Sequence, residues 1–268
     1  MTLAGRFVAT LWTVAALVPL TAGADGDTPF LATIAIERAP GSTGALTGPA
    51  VSMLHVTDPR TTAASLSGID GLDVLGVDDA TVRIRAAARP TIASSVTDRD
   101  RQSSWVVDFD EDTVQALLLE LVASHDGPPT PAQLERFVFG HIANKSYSRS
   151  FDLASRVAAS GEGDCTEHAV LLAALARASG YPARVVLGNL ILELDTGLLA
   201  FGHAWTEIYD DGAWQIRDAT LPGAEPSLRQ VRYIPLGSLN DEGPSYVLSL
   251  VEIMSAMPVQ ISGVASQP

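Results

Sequence analysis

Seven consecutive apolar residues, Val170 to Ala176, lie inside a helix-forming run that begins at Cys165 and stops at Gly180-Tyr181-Pro182. A helix that is apolar on every face cannot lie on a surface, because part of any surface helix meets water. The run therefore predicts the central helix of a domain, enclosed on all sides by other elements. Gly180 and Pro182 form a sharp stop. Cys165 stands at the helix N-terminus, directly after Gly161-Glu162-Gly163-Asp164.

The flanking segments supply the cover. Upstream, Asp112 can cap a helix from Thr113 to Ser124, and the break HDGPPTP precedes a second helix from Ala132 to about Ala143, with Pro131 in its first turn. Downstream, Ala183 to Gly188, Leu190 to Leu194, Ala200 to Tyr209 and Ala213 to Asp218 read as strands, the last two joined by Asp211-Gly212, a two-residue hairpin signal. With Asp210 facing Ala213, Trp205 falls opposite Asp218 and His203 diagonal to it on the same face, a separation of ~7–8 Å that long side chains can bridge. Nearer the N-terminus, Leu31 to Ile36, Val51 to Val56 and Thr81 to Arg85 are short strand-like runs between turn-rich stretches. No repeat of fixed period appears. The expected organisation is a signal segment over 1–24, a small β-rich region over 25–110 and a larger domain over 111–268 that holds Cys165, His203 and Asp218.

The first residues carry one positive charge, Arg6, an apolar run from Phe7 to Leu20, and then Ala22-Gly23-Ala24, an A-x-A cleavage signal. This is the pattern of a secretory signal peptide, and it predicts a periplasmic or extracellular protein. The apolar run is shorter than the ~20 residues that span a bilayer, and an uncleaved N-terminal anchor is the alternative. Exported cysteines usually pair into disulfides, yet Cys165 is the single cysteine of the chain. Such a residue is either a small buried hydrophobe or a thiol kept for its chemistry. With 31 Asp and Glu against 17 Lys and Arg, the net charge of -14 works against any grip on phosphate backbones or anionic membranes. No nucleic-acid partner is expected, and membrane contact only through an uncleaved anchor.

A cysteine at a helix N-terminus meets unpaired N–H groups and a partial positive charge, both of which favour the thiolate. His203 can take the proton of Cys165, while Asp218 can fix the imidazole tautomer and stabilise its charged form. The backbone N–H of Cys165 is a natural oxyanion donor. This placement predicts a thiolate that forms well below the free-thiol pKa of ~8.5.

The runs GDCTEHAVLLAALARASGYPARVV and GHAWTEIYDDGAWQIRDAT resemble the transglutaminase-like superfamily. The shared pattern is a Cys opening a helix, G-x-P-A-R after it, then H-x-W and a W…D-x-T strand. The resemblance covers Pro131 to Gly223 and is similar to an exported bacterial subgroup in which Thr-Glu-His follows the Cys. It implies an α+β, papain-like fold, with the nucleophile helix packed on an antiparallel sheet. It also implies Cys165 as nucleophile, His203 as general base and acid, and Asp218 as orienting carboxylate, with no cofactor called for. Many relatives have Asp-Pro-Thr where this chain has Asp218-Ala219-Thr220, a departure that touches only the turn after the strand.

Other readings of the same residues stand beside this one. Taken singly, His203 is a half-buried sheet histidine and Asp218 a strand-end acid that satisfies backbone N–H groups; their shared face is what favours chemistry. Cys165 and His168, three apart on one helical face, could join His203 and Asp218 as four zinc ligands. The resemblance instead leaves His168 to pack or hydrogen-bond beside the site. Trp205 and Trp214 read as cleft wall or core, Arg184 as a structural ion-pair or carbonyl donor, and Tyr147 as a packed tyrosine or an oxyanion donor. His55, His125 and His141 fall in unremarkable contexts.

The expected activity is that of an exported cysteine enzyme acting on amide or peptide bonds of a peptide or protein substrate through a thioester. Water as acceptor makes it a protease or amidase, and an amine makes it a transglutaminase. Hydrolysis is favoured because water needs no second binding site. The alternative is a catalytically silent binding or scaffolding module of the cell envelope.

Overall fold

The computed structural model describes residues 33–124, 127–145, 151–221, 228–239 and 242–267. The signal segment, His125 and Tyr147 lie outside the described residues. The fold is α+β. Its elements in chain order are β1 (Thr33–Arg38), β2 (Ala50–His55), α1 (Pro59–Leu66), β3 (Ile69–Val77), β4 (Thr81–Ile92), α2 (Asp112–Ala123), α3 (Pro131–His141), β5 (Asn144–Lys145), α4 (Ala154–Ser160) and β6 (Glu162–Gly163). They continue as α5 (Cys165–Ala178), β7 (Ala183–Leu194), β8 (Gly197–Asp210), β9 (Ala213–Arg217), β10 (Leu228–Ser238), α6 (Tyr246–Ser255) and β11 (Gln260–Ser266).

One nine-stranded sheet runs in the order β10-β7-β8-β1-β11-β2-β4-β3, with β9 paired to β8 beside β1. Every pairing in it is antiparallel except β1 with β11. Strands from both ends of the chain thus share one hydrogen-bonded surface with the strands that carry His203. The sheet curls so that β4 packs against β10, distant from it in strand order.

As its sequence demands, α5 is enclosed: every residue from Thr166 to Arg177 is buried. Helices α2, α3 and α4 pack on it from one side and β7 and β8 from the other. Its C-terminus closes in a Schellman motif, with Gly180 N–H bonded to Arg177 O at 2.9 Å, Tyr181 N–H to Ala176 O at 3.0 Å, and Gly180 at φ +92°. Thr206 Oγ1 donates to Ala169 O at 2.9 Å and ties β8 to the first turns of α5.

The 211–212 turn has φ of 50° at Asp211 and 83° at Gly212, as a type I′ hairpin requires. Asp210 pairs with Ala213 and Thr206 with Arg217, the register expected from the sequence.

Three local expectations are revised. Glu111, not Asp112, is the N-cap of α2, and Asp112 sits in the first turn. Strands 183–188 and 190–194 form one continuous strand: Gly188 does not interrupt β7 but permits close approach, since a Cβ there would lie 2.2 Å from Ile234 O and 2.9 Å from Trp205 Cη2. The N-terminal region also holds a helix and a strand beyond those expected, α1 and β3.

Candidate active site

The geometry around Cys165 begins with a cap. Asp164 Oδ1 accepts Thr166 N–H at 2.8 Å, and Glu167 Oε2 accepts Asp164 N–H at 3.0 Å, a reciprocal pair that starts α5 at Cys165. Gly163 makes room for it, because a Cβ there would meet Glu167 Cβ at 2.3 Å. Glu167 Oε1 also accepts Asp152 N–H at 3.1 Å. Burial and the neighbouring Asp164 charge push the Glu167 carboxyl up to about 7.

Cys165 keeps part of its surface exposed. The His203 ring and the Ala204 backbone N–H both act on its thiol and favour the thiolate. His203, buried on β8, places Nε2 at 2.8 Å from Asp218 Oδ2, which leaves Nδ1 for the thiol. The three residues proposed from sequence are therefore brought together in the fold. Asp218 follows the last paired residue of β9 directly, so the hairpin register sets the His–Asp contact.

Burial opposes the charged imidazole, but the Asp218 carboxylate outweighs it and lifts His203 to about 10. Burial likewise opposes the carboxylate, and His203 reverses it, holding Asp218 near about 2. For Cys165 the balance goes the other way. Burial pushes the thiol up from its ordinary value, and the His203 imidazolium and Ala204 N–H recover only part of the cost. The sequence expectation of a low thiol pKa counted the helix terminus and the histidine but not burial, a tertiary quantity.

The family model described as the Transglutaminase-like superfamily matches residues 124–219, the segment that contains all three groups. Over that segment the chain is transglutaminase-like. No curated protein matches the chain. Among solved structures, a candidate cysteine protease from Cytophaga hutchinsonii is similar at 15% identity and a TM-score of 0.43, over 76% of this chain and 78% of that one. The periplasmic domain of TgpA from Pseudomonas aeruginosa is similar at 25% identity and a TM-score of 0.37, over 52% of this chain and 55% of that one. This chain thus spans about half of that domain.

Within the transglutaminase-like core, the carboxylate of Asp218 has more partners than the sequence revealed. Thr220 donates twice to Oδ1, from N at 3.0 Å and Oγ1 at 2.5 Å, and Tyr233 OH donates to Oδ2 at 3.0 Å. Glu135 Oε1 accepts Asp218 N–H at 2.7 Å. Thr220 was visible as the Thr of D-x-T, but Glu135 and Tyr233 lie on separate elements and carry no local signal.

The remaining candidates are structural. His168 Nδ1 lies 2.6 Å from Asp164 O, one turn from Cys165 on α5. Among the described residues, no group of three His, Cys, Asp or Glu is placed to hold a metal. Arg184 pairs with buried Glu207 at 2.5 Å, donates to Ile92 O and to Ser94 Oγ, and stacks 3.8 Å over Trp214. Trp214 donates its ring N–H to Ser94 O at 2.7 Å, and Trp205 is fully buried against Tyr233. His55 bonds to Ser262 Oγ and His141 to Ala158 O. Arg89, on β4, donates to Ile216 O at 2.8 Å, so β4 braces the hairpin that presents His203 and Asp218.

Proposed function

We propose that the chain is an exported cysteine enzyme that forms a thioester with an amide or peptide carbonyl of a peptide or protein substrate, and passes the acyl group to water in preference to an amine. The observation that carries this reading is the His203–Asp218 hydrogen bond, with the His203 ring acting on a thiol at the start of a buried helix. Loss of one proton from the Cys165–His203 pair leaves a thiolate beside an imidazolium, and the Asp218 charge favours that arrangement.

The thiolate attacks the carbonyl carbon, and the oxyanion meets the Cys165 N–H, one of the first-turn N–H groups without an intrahelical acceptor. Imidazolium Nδ1 then gives its proton to the departing amine, and a thioester and neutral His203 remain. Water attacks the thioester while His203 takes its proton. Collapse releases the acid and returns Cys165 and His203 to thiolate and imidazolium. Asp218 stays ionised throughout and keeps the ring in the tautomer that leaves Nδ1 towards sulfur.

Incubation with peptide amides, glutamine-bearing peptides and envelope extract, read by intact mass, tests the proposal. A transient acyl adduct on Cys165, absent from Cys165→Ala, is expected, with the acid product exceeding the amine adduct when a primary amine is added. No adduct and no turnover in any of these mixtures overturns it. Export is read from Ala22-Gly23-Ala24, and N-terminal sequencing of the secreted form is expected to begin at Asp25.

A further inference from the structure

Asp218 Oδ2 accepts two hydrogen bonds, one from His203 Nε2 at 2.8 Å and one from Tyr233 OH at 3.0 Å. Tyr233 comes from β10, two strands away from β8 across β7, and is 1% exposed. Its ring is fixed from several sides. Trp205 meets it edge-on at 5.1 Å, Leu190 faces it across the β7 pairing, and the Arg89 guanidinium lies 5.1 Å from its centre. A hydroxyl held this way delivers its proton to one place.

We propose that Tyr233 is a positioning residue of the site: by sharing Asp218 Oδ2 with His203, its hydroxyl sets how strongly the carboxylate holds the imidazolium, and through it how readily Cys165 becomes a thiolate. The proposal rests on the catalytic reading of Cys165, His203 and Asp218. A second donor on Oδ2 draws carboxylate charge away from the imidazolium. Tyr233 therefore works as a restraint on the Asp–His contact, in contrast to Glu135, which grips the backbone of Asp218 and leaves its oxygens alone.

The charged and titratable groups around this pair and the thiol include Cys165 from α5, its cap Asp164, Glu135 from α3, Arg217 from β9 and Arg89 from β4, with the Thr220 hydroxyl on Oδ1. Tyr233→Phe alters none of these side chains themselves. Burial and the Asp218 charge keep the phenol itself protonated far above neutral pH, so it acts as a fixed donor and does not titrate in the working range.

Cys165 is the single thiol, so the pH dependence of iodoacetamide alkylation reads its ionisation without a known substrate. Tyr233→Phe keeps the ring and removes only the donor. The inflection of alkylation rate with pH is expected to move down by about half to one unit, because the carboxylate then holds the imidazolium more tightly. An inflection that stays put or moves up overturns the proposal, since a merely packed tyrosine would change melting temperature alone. Should Tyr233→Phe not fold, 3-fluorotyrosine at position 233 keeps the shape and strengthens the donor; a shift upward is then expected, and none or a downward one overturns the proposal. His203→Ala in the same assay separates the two ideas: an inflection unaltered by that change sinks the thiol–imidazole pairing itself, whatever Tyr233 does.

Discussion

Glu135 Oε1, on α3, accepts the backbone N–H of Asp218 at 2.7 Å, so a helix outside the sheet holds the peptide that carries the Asp218 carboxylate. The contact is half-open to water, with the Glu135 side chain 21% exposed and Arg217 3.7 Å away. Glu135→Ala removes the acceptor and is expected to slow Cys165 alkylation about three- to tenfold, the scale of one ordinary hydrogen bond. Glu135→Gln keeps an acceptor oxygen at the same place and is expected to restore most of the rate. Equal losses in both variants would show that charge matters and not the tether.

Asp218→Asn acts on the tautomer. An amide nitrogen in place of Oδ2 donates to His203 Nε2 and confines the ring proton to Nδ1, the nitrogen that faces the thiol. The thiol proton then has nowhere to go. Turnover on any substrate of the native enzyme is expected to fall by roughly four orders of magnitude, as in other triads. Some stability is lost as well, because four donors converge on this carboxylate. Activity within tenfold of native in a folded Asn variant would remove Asp218 from the chemistry.

The same pair sets a pH window for stability. His203 rises from 6.5 unfolded to about 10 folded, so its contribution is full below 6.5 and is lost as pH climbs through about 10. Asp218 falls from 3.8 to about 2, so its contribution is full above 3.8 and is lost as pH drops through about 2. Both shifts describe one interaction and are counted once. Urea-unfolding midpoints of native protein are expected to decline between 6.5 and 10 by more than those of His203→Gln, and a parallel decline in both would locate the loss elsewhere.

Burial acts on Cys165 before any substrate arrives. Because it pushes the thiol up, native alkylation is expected to be slow under mildly acidic conditions and to climb above neutrality. Stopped-flow alkylation from about pH 6 to 10 checks this against an unfolded control. A native rate at pH 6 above that of the control would mean that His203 and the helix N-terminus outweigh burial.

Arg184 is expected to matter for folding and not for chemistry. Its guanidinium is buried, paired with Glu207 and stacked on Trp214, so Arg184→Ala leaves an uncompensated carboxylate in the core. The cost is about 3–5 kcal/mol in chemical denaturation. The double variant Arg184→Met, Glu207→Leu removes both charges and is expected to recover much of it. A double variant no more stable than Arg184→Ala would assign the loss to Trp214 packing.

The local order around the site was legible in the sequence wherever neighbours along the chain do the work. Val170 to Ala176 required an enclosed helix, Gly180 and Pro182 required its stop, and Asp211-Gly212 required a two-residue turn. From that turn the period of two alone put His203 and Asp218 on one face, and the register is the one observed. The Cys, His and Asp pattern named the core for the same reason, since each motif is a short run read within one element.

What only the tertiary structure decided depends on pairings across long stretches of chain, and no periodicity carries those. Tyr233 reaches Asp218 because β10 pairs with β7, and Glu135 reaches it because α3 packs beside β9. The N-terminal strands joined the sheet of the site through β1 and β8, and β4 came to brace the hairpin through Arg89. Burial is the clearest case: the sequence placed Cys165 at a helix N-terminus, where local dipoles favour the thiolate. Whether water also reaches that thiol depends on every element that folds over it, and here burial pushes the thiol up.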